Sequence, residues 1–118
     1  RAIKPQGHGF LVRVQIKDGR TQDVLIQSHK RSDGRELIRV STQCGEADAE
    51  TTTWAIRNNS QLMYCAFCVQ TQDDKEQLMI VKNFSPEHVT PGMVKDAVKE
   101  IAFYGDWLEK KLTGKDKY

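Results

Sequence analysis

The stretch Met63-Tyr64-Cys65-Ala66-Phe67-Cys68-Val69 carries a C-x-x-C spacing, which serves zinc sites and redox pairs alike. A structural zinc takes such a pair from a turn, where both thiolates converge, and needs two further ligands. This run contains no Gly or Pro to make the turn. Cys44 is the one other cysteine, and His8, His29 and His88 show no paired spacing. A redox pair sits at a helix N-terminus that lowers its thiol pKa. Here Met63, Cys65, Phe67 and Val69 alternate with other residues, which predicts a strand instead. Two residues three apart in a strand point to opposite faces. Cys65 then joins Phe67 on the core side, and the cysteines act as small apolar packing.

Asp73 and Asp74 form the only other suggestive pair, and they fall at a hairpin tip, where carboxylates are solvated turn residues. The chain has no serine elbow, phosphate-binding loop or dinucleotide fingerprint. No catalytic, cofactor-binding or metal residue is therefore assigned. The expectation is a non-enzymatic protein without a cofactor.

The bulk properties agree with that reading. A chain of 118 residues suits one domain, 1–118, with 1–8 as a flexible lead-in. Apolar residues make up 38% and charged residues 29%, enough for both a core and a wetted surface. The net charge of +2 is nearly balanced, and the cations are spread. Only residues 29–35 and 110–117 are locally basic, as a turn and a helix end would be, so no nucleic-acid partner is expected. No run approaches the roughly 18 apolar residues of a membrane span, and no membrane partner or small-molecule substrate is evident. Three cysteines, an odd number, argue for free thiols and a cytoplasmic location.

The elements that must position any site follow from periodicity. Phe10, Val12, Val14 and Ile16 alternate, as do Val24 and Ile26, and then Ile38 and Val40. The Asp18-Gly19 and Asp33-Gly34 dipeptides close hairpins between these runs. A short helix follows from about Asp48, anchored by Trp54 and stopped at Asn58 and Asn59. The strand holding Cys65 and Cys68 and a returning strand, QLMIVKNF, come next. Thr90 and Pro91 then open a long helix, with Lys110 and Lys111 in its last turn and Gly114 as its stop. The order β-β-β-α-β-β-α predicts an α+β fold: a five-stranded antiparallel sheet with helices on one face.

Wound at 100° per residue, the last helix places Val94, Ala97, Val98, Ile101, Tyr104, Gly105, Leu108 and Leu112 in one stripe. A mid-helix glycine costs about 1 kcal/mol relative to alanine, so Gly105 predicts a close approach. Phe103 and Trp107 lie off the stripe, four residues apart and within reach of each other. Two outward aromatics call for a cover: an upstream helix, a second copy or a client protein. The sheet's second face carries Leu11, Leu25, Leu37, Tyr64 and Ala66 among polar residues. Phe103, Trp107, Leu11, Leu25, Leu37 and Tyr64 are thus the candidate partner-binding residues.

Several phrases resemble one family: the meander with DGR turns, RVSTQCG ending the third strand, WAIRNN in the middle helix, and the ending EIAFYGDWLEKKLTGKDKY. Over about residues 9–116 the chain resembles the type III secretion chaperone-like fold, including its YbjN-like branch. The resemblance implies a compact bacterial α+β domain without cofactor. It also implies a homodimer that holds a client segment along apolar patches. The alternative is a regulatory or sensor domain of a larger bacterial protein, with an unknown ligand.

Overall fold

The structure, a computed structural model, describes residues 2–6, 9–16, 19–62 and 64–113. Gly7, His8, Lys17, Asp18, Met63, the Leu112 side chain and Gly114, all invoked above, lie outside the described residues. Six strands form one sheet: β1 (Ala2–Gln6), β2 (Gly9–Gln15), β3 (Thr21–Lys30), β4 (Glu36–Glu46), β5 (Ala66–Gln72) and β6 (Lys75–Phe84). Helix α1 (Ala49–Asn58) and a 3-10 turn (Asn59–Gln61) separate β4 from β5, and α2 (Pro91–Thr113) ends the fold. The strand order is β1-β2-β3-β4-β6-β5, with every neighbour antiparallel.

The α+β class and the five expected strands are present as β2 to β6. The structure adds a sixth, because residues 2–6 of the expected lead-in pair with β2 at the sheet's edge. Pro5 sits opposite Phe10 in that pairing. A proline has no N–H for a ladder, so an edge is where a strand tolerates one.

Alternation decides which side of the sheet each residue takes. Val12, Val24, Val40, Leu78, Ile80 and Phe67 are buried beneath the helices, while Arg39 and Gln43 face away. On α2 the stripe is buried as expected at Ala97, Val98, Ile101, Gly105 and Leu108, with Val94 and Tyr104 half-buried. Thr90 caps this helix, its hydroxyl accepting from the Met93 N–H at 3.2 Å. Asp48 caps α1 in a reciprocal box with Thr51, which offsets the low helix propensity of three threonines. Trp54 is the anchor of α1, its ring 5.6 Å from that of Phe67, so both helices lie on the same side of the sheet.

The turns divide their chemistry differently from the dipeptide pattern. The β3–β4 connection is a loop of residues 31–35 closed by Arg31 N–H to the Arg35 carbonyl at 2.7 Å, with Gly34 at φ +89°. Among the described residues, the tight turn with two positive φ values is Asp73 (+52°) and Asp74 (+65°), between the paired Gln72 and Lys75. A side chain is disfavoured in that left-handed region and glycine is not. Asp74→Gly should therefore raise stability by about 0.5–1 kcal/mol. A urea midpoint that stays put or falls would contradict it.

Candidate functional site

Helix α2 positions the ridge. Its buried stripe fixes the rotation of the helix, which leaves Phe103 63% and Trp107 42% exposed. The two rings have different partners. Phe103 meets Tyr104 edge-on at 5.8 Å, whereas Trp107 lies 6.1 Å from Trp54 of α1. The Lys111 ammonium stands 5.3 Å from the Trp107 ring centroid, within cation–π range. A shallow depression of about 470 Å³ runs from Ile16 and Arg20, beside the β2–β3 loop, to Phe103, Trp107, Lys110 and Lys111.

Arg20 ties that loop to the helix. Its Nε and Nη2 donate to the two Asp106 carboxylate oxygens at 3.0 and 3.1 Å. The pair is partly buried, and its fork geometry fixes both side chains. One wall of the depression is therefore held against the other by a bidentate link joining residues far apart in sequence.

The opposite sheet face has a different character. Leu11, Leu25, Ser41, Val81 and Ala66 are successive cross-strand partners, giving an apolar row interrupted by one hydroxyl. Leu11, Leu25 and Ala66 are half-buried. Around the row lies a hollow of about 650 Å³ whose lining includes Met79, Gln27, Gln43 and Gln72. Leu37 is on the same face but pairs with His29, toward the β3–β4 loop. Tyr64 does not join them. It precedes β5 and is 63% exposed. The Lys82 ammonium is 4.8 Å from its ring and 5.3 Å from that of Phe84. Lys82 pairs with buried Val40 and so stands on the helix side. The sequence-predicted residues thus separate into a helical ridge, an open sheet face and an isolated tyrosine.

The cysteines divide between the two sides. Cys65 packs against the core, and Cys68 pairs with Met79 on the open face. Burial pushes the Cys65 thiol up to about 11, with Glu100 adding and Lys82 opposing. Burial also raises Cys68, against Arg39. Cys44 is the most buried of the three, and burial, with Glu109 adding, raises its thiol furthest. All three favour the neutral thiol, which suits packing rather than nucleophilic chemistry.

Sequence reasoning missed a polar cluster under α2. Gln22 alternates with the core residues of β3 and is buried among them. Its Nε2 donates to Thr42 Oγ1 at 2.8 Å and to the Gln43 carbonyl at 3.1 Å. Thr42 Oγ1 in turn donates to the Asp23 carbonyl at 2.7 Å. The legible signal was the unusual placing of Gln22 two residues before Val24, on the inward side. Glu109 lies beside Gln22, its carboxyl raised chiefly by partial burial, with Gln22 opposing and Asp106 adding. A raised carboxyl binds protons more tightly when folded, so stability falls as pH rises from its ordinary 4.5 through the folded value. Glu109→Gln should remove that fall. Urea midpoints on either side of the window check it, and an unchanged pH slope would refute it.

Among the described residues no helix is long and apolar enough to cross a membrane. No protein-family model matches the chain, and no curated protein matches it.

Proposed function

We propose that this chain is a non-enzymatic protein-binding domain of the type III secretion chaperone-like kind, holding a client segment on its apolar surface. The observation that carries the reading is the outward pair Phe103 and Trp107, beside a depression with an apolar wall. Large exposed aromatics gathered on one helix face are the usual mark of a partner site. The Leu11–Leu25 row on the open sheet face offers a second apolar patch.

A second copy of the chain is best accommodated elsewhere, at the β5 edge. The Asn59 side chain accepts the Phe67 N–H at 2.8 Å, so Phe67 turns its backbone to the edge, and Val69 and Thr71 follow by alternation. From Ala66 to Gln72 the strand carries no charge and no proline, the usual guards against pairing. β1, at the other edge, carries Lys4 and Pro5. Antiparallel pairing of β5 with itself leaves the ridge for a client.

The test is a holdase assay on a reduced, aggregating reporter protein, followed by light scattering. Wild type should suppress the aggregation, and Phe103→Ser should lose most of that effect with an unchanged melting curve. Phe103 is the cleaner probe because Trp107 also packs on Trp54. Equal suppression by the two proteins, or none by wild type, would reject the ridge as a client surface.

A further inference from the structure

Given the reading above, which seats a second copy at the β5 edge, the backbone there restricts how two copies can meet. Val69, Gln70, Thr71 and Gln72 are all exposed. Gln72 pairs with Lys75 across the tight turn, and Gln70, Cys68 and Ala66 alternate with it in bonding toward β6. The outward N–H and C=O groups are therefore those of Phe67, Val69 and Thr71. These three are not equivalent. At Phe67 the Asn59 side-chain oxygen takes the N–H at 2.8 Å and stands where a partner's carbonyl would stand. Past Thr71 the next outward position is Asp73, which has left the extended backbone with φ +52°. Val69 and Thr71 remain to receive a strand.

We propose that two copies pair antiparallel along β5 on a two-fold axis through Gln70. Val69 of each copy then exchanges both backbone bonds with Thr71 of the other, about four hydrogen bonds in all. A two-fold axis at Val69 would set Thr71 against the Asn59-capped Phe67, and one at Thr71 would set Val69 against Asp73 in the turn. The chosen axis brings the two Gln70 side chains face to face on the open side of the sheet. An amide both donates and accepts, so two identical glutamines satisfy each other. The acidic turns lie toward opposite ends of the paired strands, with the Asp73 residues roughly 20 Å apart along them and outside the range of strong repulsion. Such an interface uses the same patch on both copies and closes at two. The other sheet edge, β1, carries Lys4 and Pro5 and does not extend the assembly. Gln70 and Gln72 also line the hollow of the open face, so pairing sets the hollows of the two copies side by side.

Light scattering over a concentration series tests this on four variants. Wild type should form a weak, concentration-dependent dimer, because a single strand pair buries little area. Val69→Pro removes an outward N–H without touching the ladder to β6, and should dissociate the dimer. Gln70→Lys and Gln70→Glu should each raise the dissociation constant about tenfold, since like charges then stand directly opposite. Mixing the two should restore the dimer, a recovery that an unfolded protein cannot produce. In Gln72→Cys, mild oxidation should join position 72 of one copy to Cys68 of the other, because these positions face each other at about 4.5 Å between Cα atoms. Within one chain they are four residues apart along a strand, too far to bridge. Peptide mass spectrometry reads the bond. Its absence, or a dimer that ignores both Gln70 charges yet dissociates in Val69→Pro, overturns the register and leaves the edge as the dimer site. A dimer indifferent to Val69→Pro, or a wild type that is monomeric throughout, overturns both.

Discussion

Gly105→Val is expected to cost about 3 kcal/mol or more, and Gly105→Ala about 1 kcal/mol, although either change improves helix propensity. The reason is the distance between α2 and the sheet. A Cβ on Gly105 would meet Thr42 Cγ2 at 2.7 Å and Gln22 Nε2 at 3.0 Å. Neither atom can retreat cheaply. Thr42 is buried, and its hydroxyl is held by both Gln22 and the Asp23 carbonyl. Gln22 is buried and already gives its amide to Thr42 and Gln43. The helix must therefore lift, which loosens Ile101 and Leu108 on either side, both fully buried. Alanine's helix advantage of about 1 kcal/mol offsets part of an overpacking cost of about 1–3 kcal/mol. Urea denaturation reads the result. A more stable alanine variant would mean that propensity, not close approach, governs this site. Thr42→Ser removes the clashing methyl and keeps the hydroxyl, so it should recover part of the loss in the Gly105→Ala background.

The glycine shows what the sequence makes legible. A 3.6-residue period identifies the buried stripe, and a glycine inside it predicts contact at backbone range, which the sheet supplies. Strand alternation is equally direct, because a period of two sorts Val12, Val24 and Val40 from Arg39 and Gln43 without knowledge of the partner strands. What stays hidden depends on more than one element. β1 lacks alternation and contains Pro5, so only its place at an edge makes it a strand. The helical wheel of α2 shows Trp107 leaving the stripe, but not that α1 waits there with Trp54. Tyr64 follows the parity of Ala66 on paper, yet it precedes the strand, where parity no longer applies. The Arg20–Asp106 link joins a loop to a helix far along the chain, and no local pattern announces such a pair. The ridge is thus half legible: its exposure follows from one helix, its support and its charge from three segments.

That support sets the second large effect. Trp54→Ala is expected to cost about 2–4 kcal/mol, somewhat below the range for a fully buried tryptophan because the ring is half-buried. Helix α1 has ten residues, below the length at which an isolated helix holds in water, and three of them are threonines. Ala55 is its only buried residue, so the Trp54 ring provides most of its packing. That ring lies 5.6 Å from the ring of Phe67, at the start of β5, and 6.1 Å from that of Trp107 of α2, tilted against both. Removing it cuts α1 from both neighbours at once. The capping box of Asp48 and Thr51 remains, but a cap contributes only about 1 kcal/mol. Hydrogen exchange should then show the α1 amides opening well before those of α2. A double-mutant cycle with Trp107→Ala should return a coupling of about 0.5–1.5 kcal/mol, the range for an aromatic pair. The consequence reaches the ridge, because Trp107 without Trp54 loses the ring that holds its orientation. The client holding proposed above should therefore weaken in Trp54→Ala even under conditions where the rest of the protein stays folded. A loss below about 1 kcal/mol with α1 amides still protected would show that the helix is held by something other than its tryptophan.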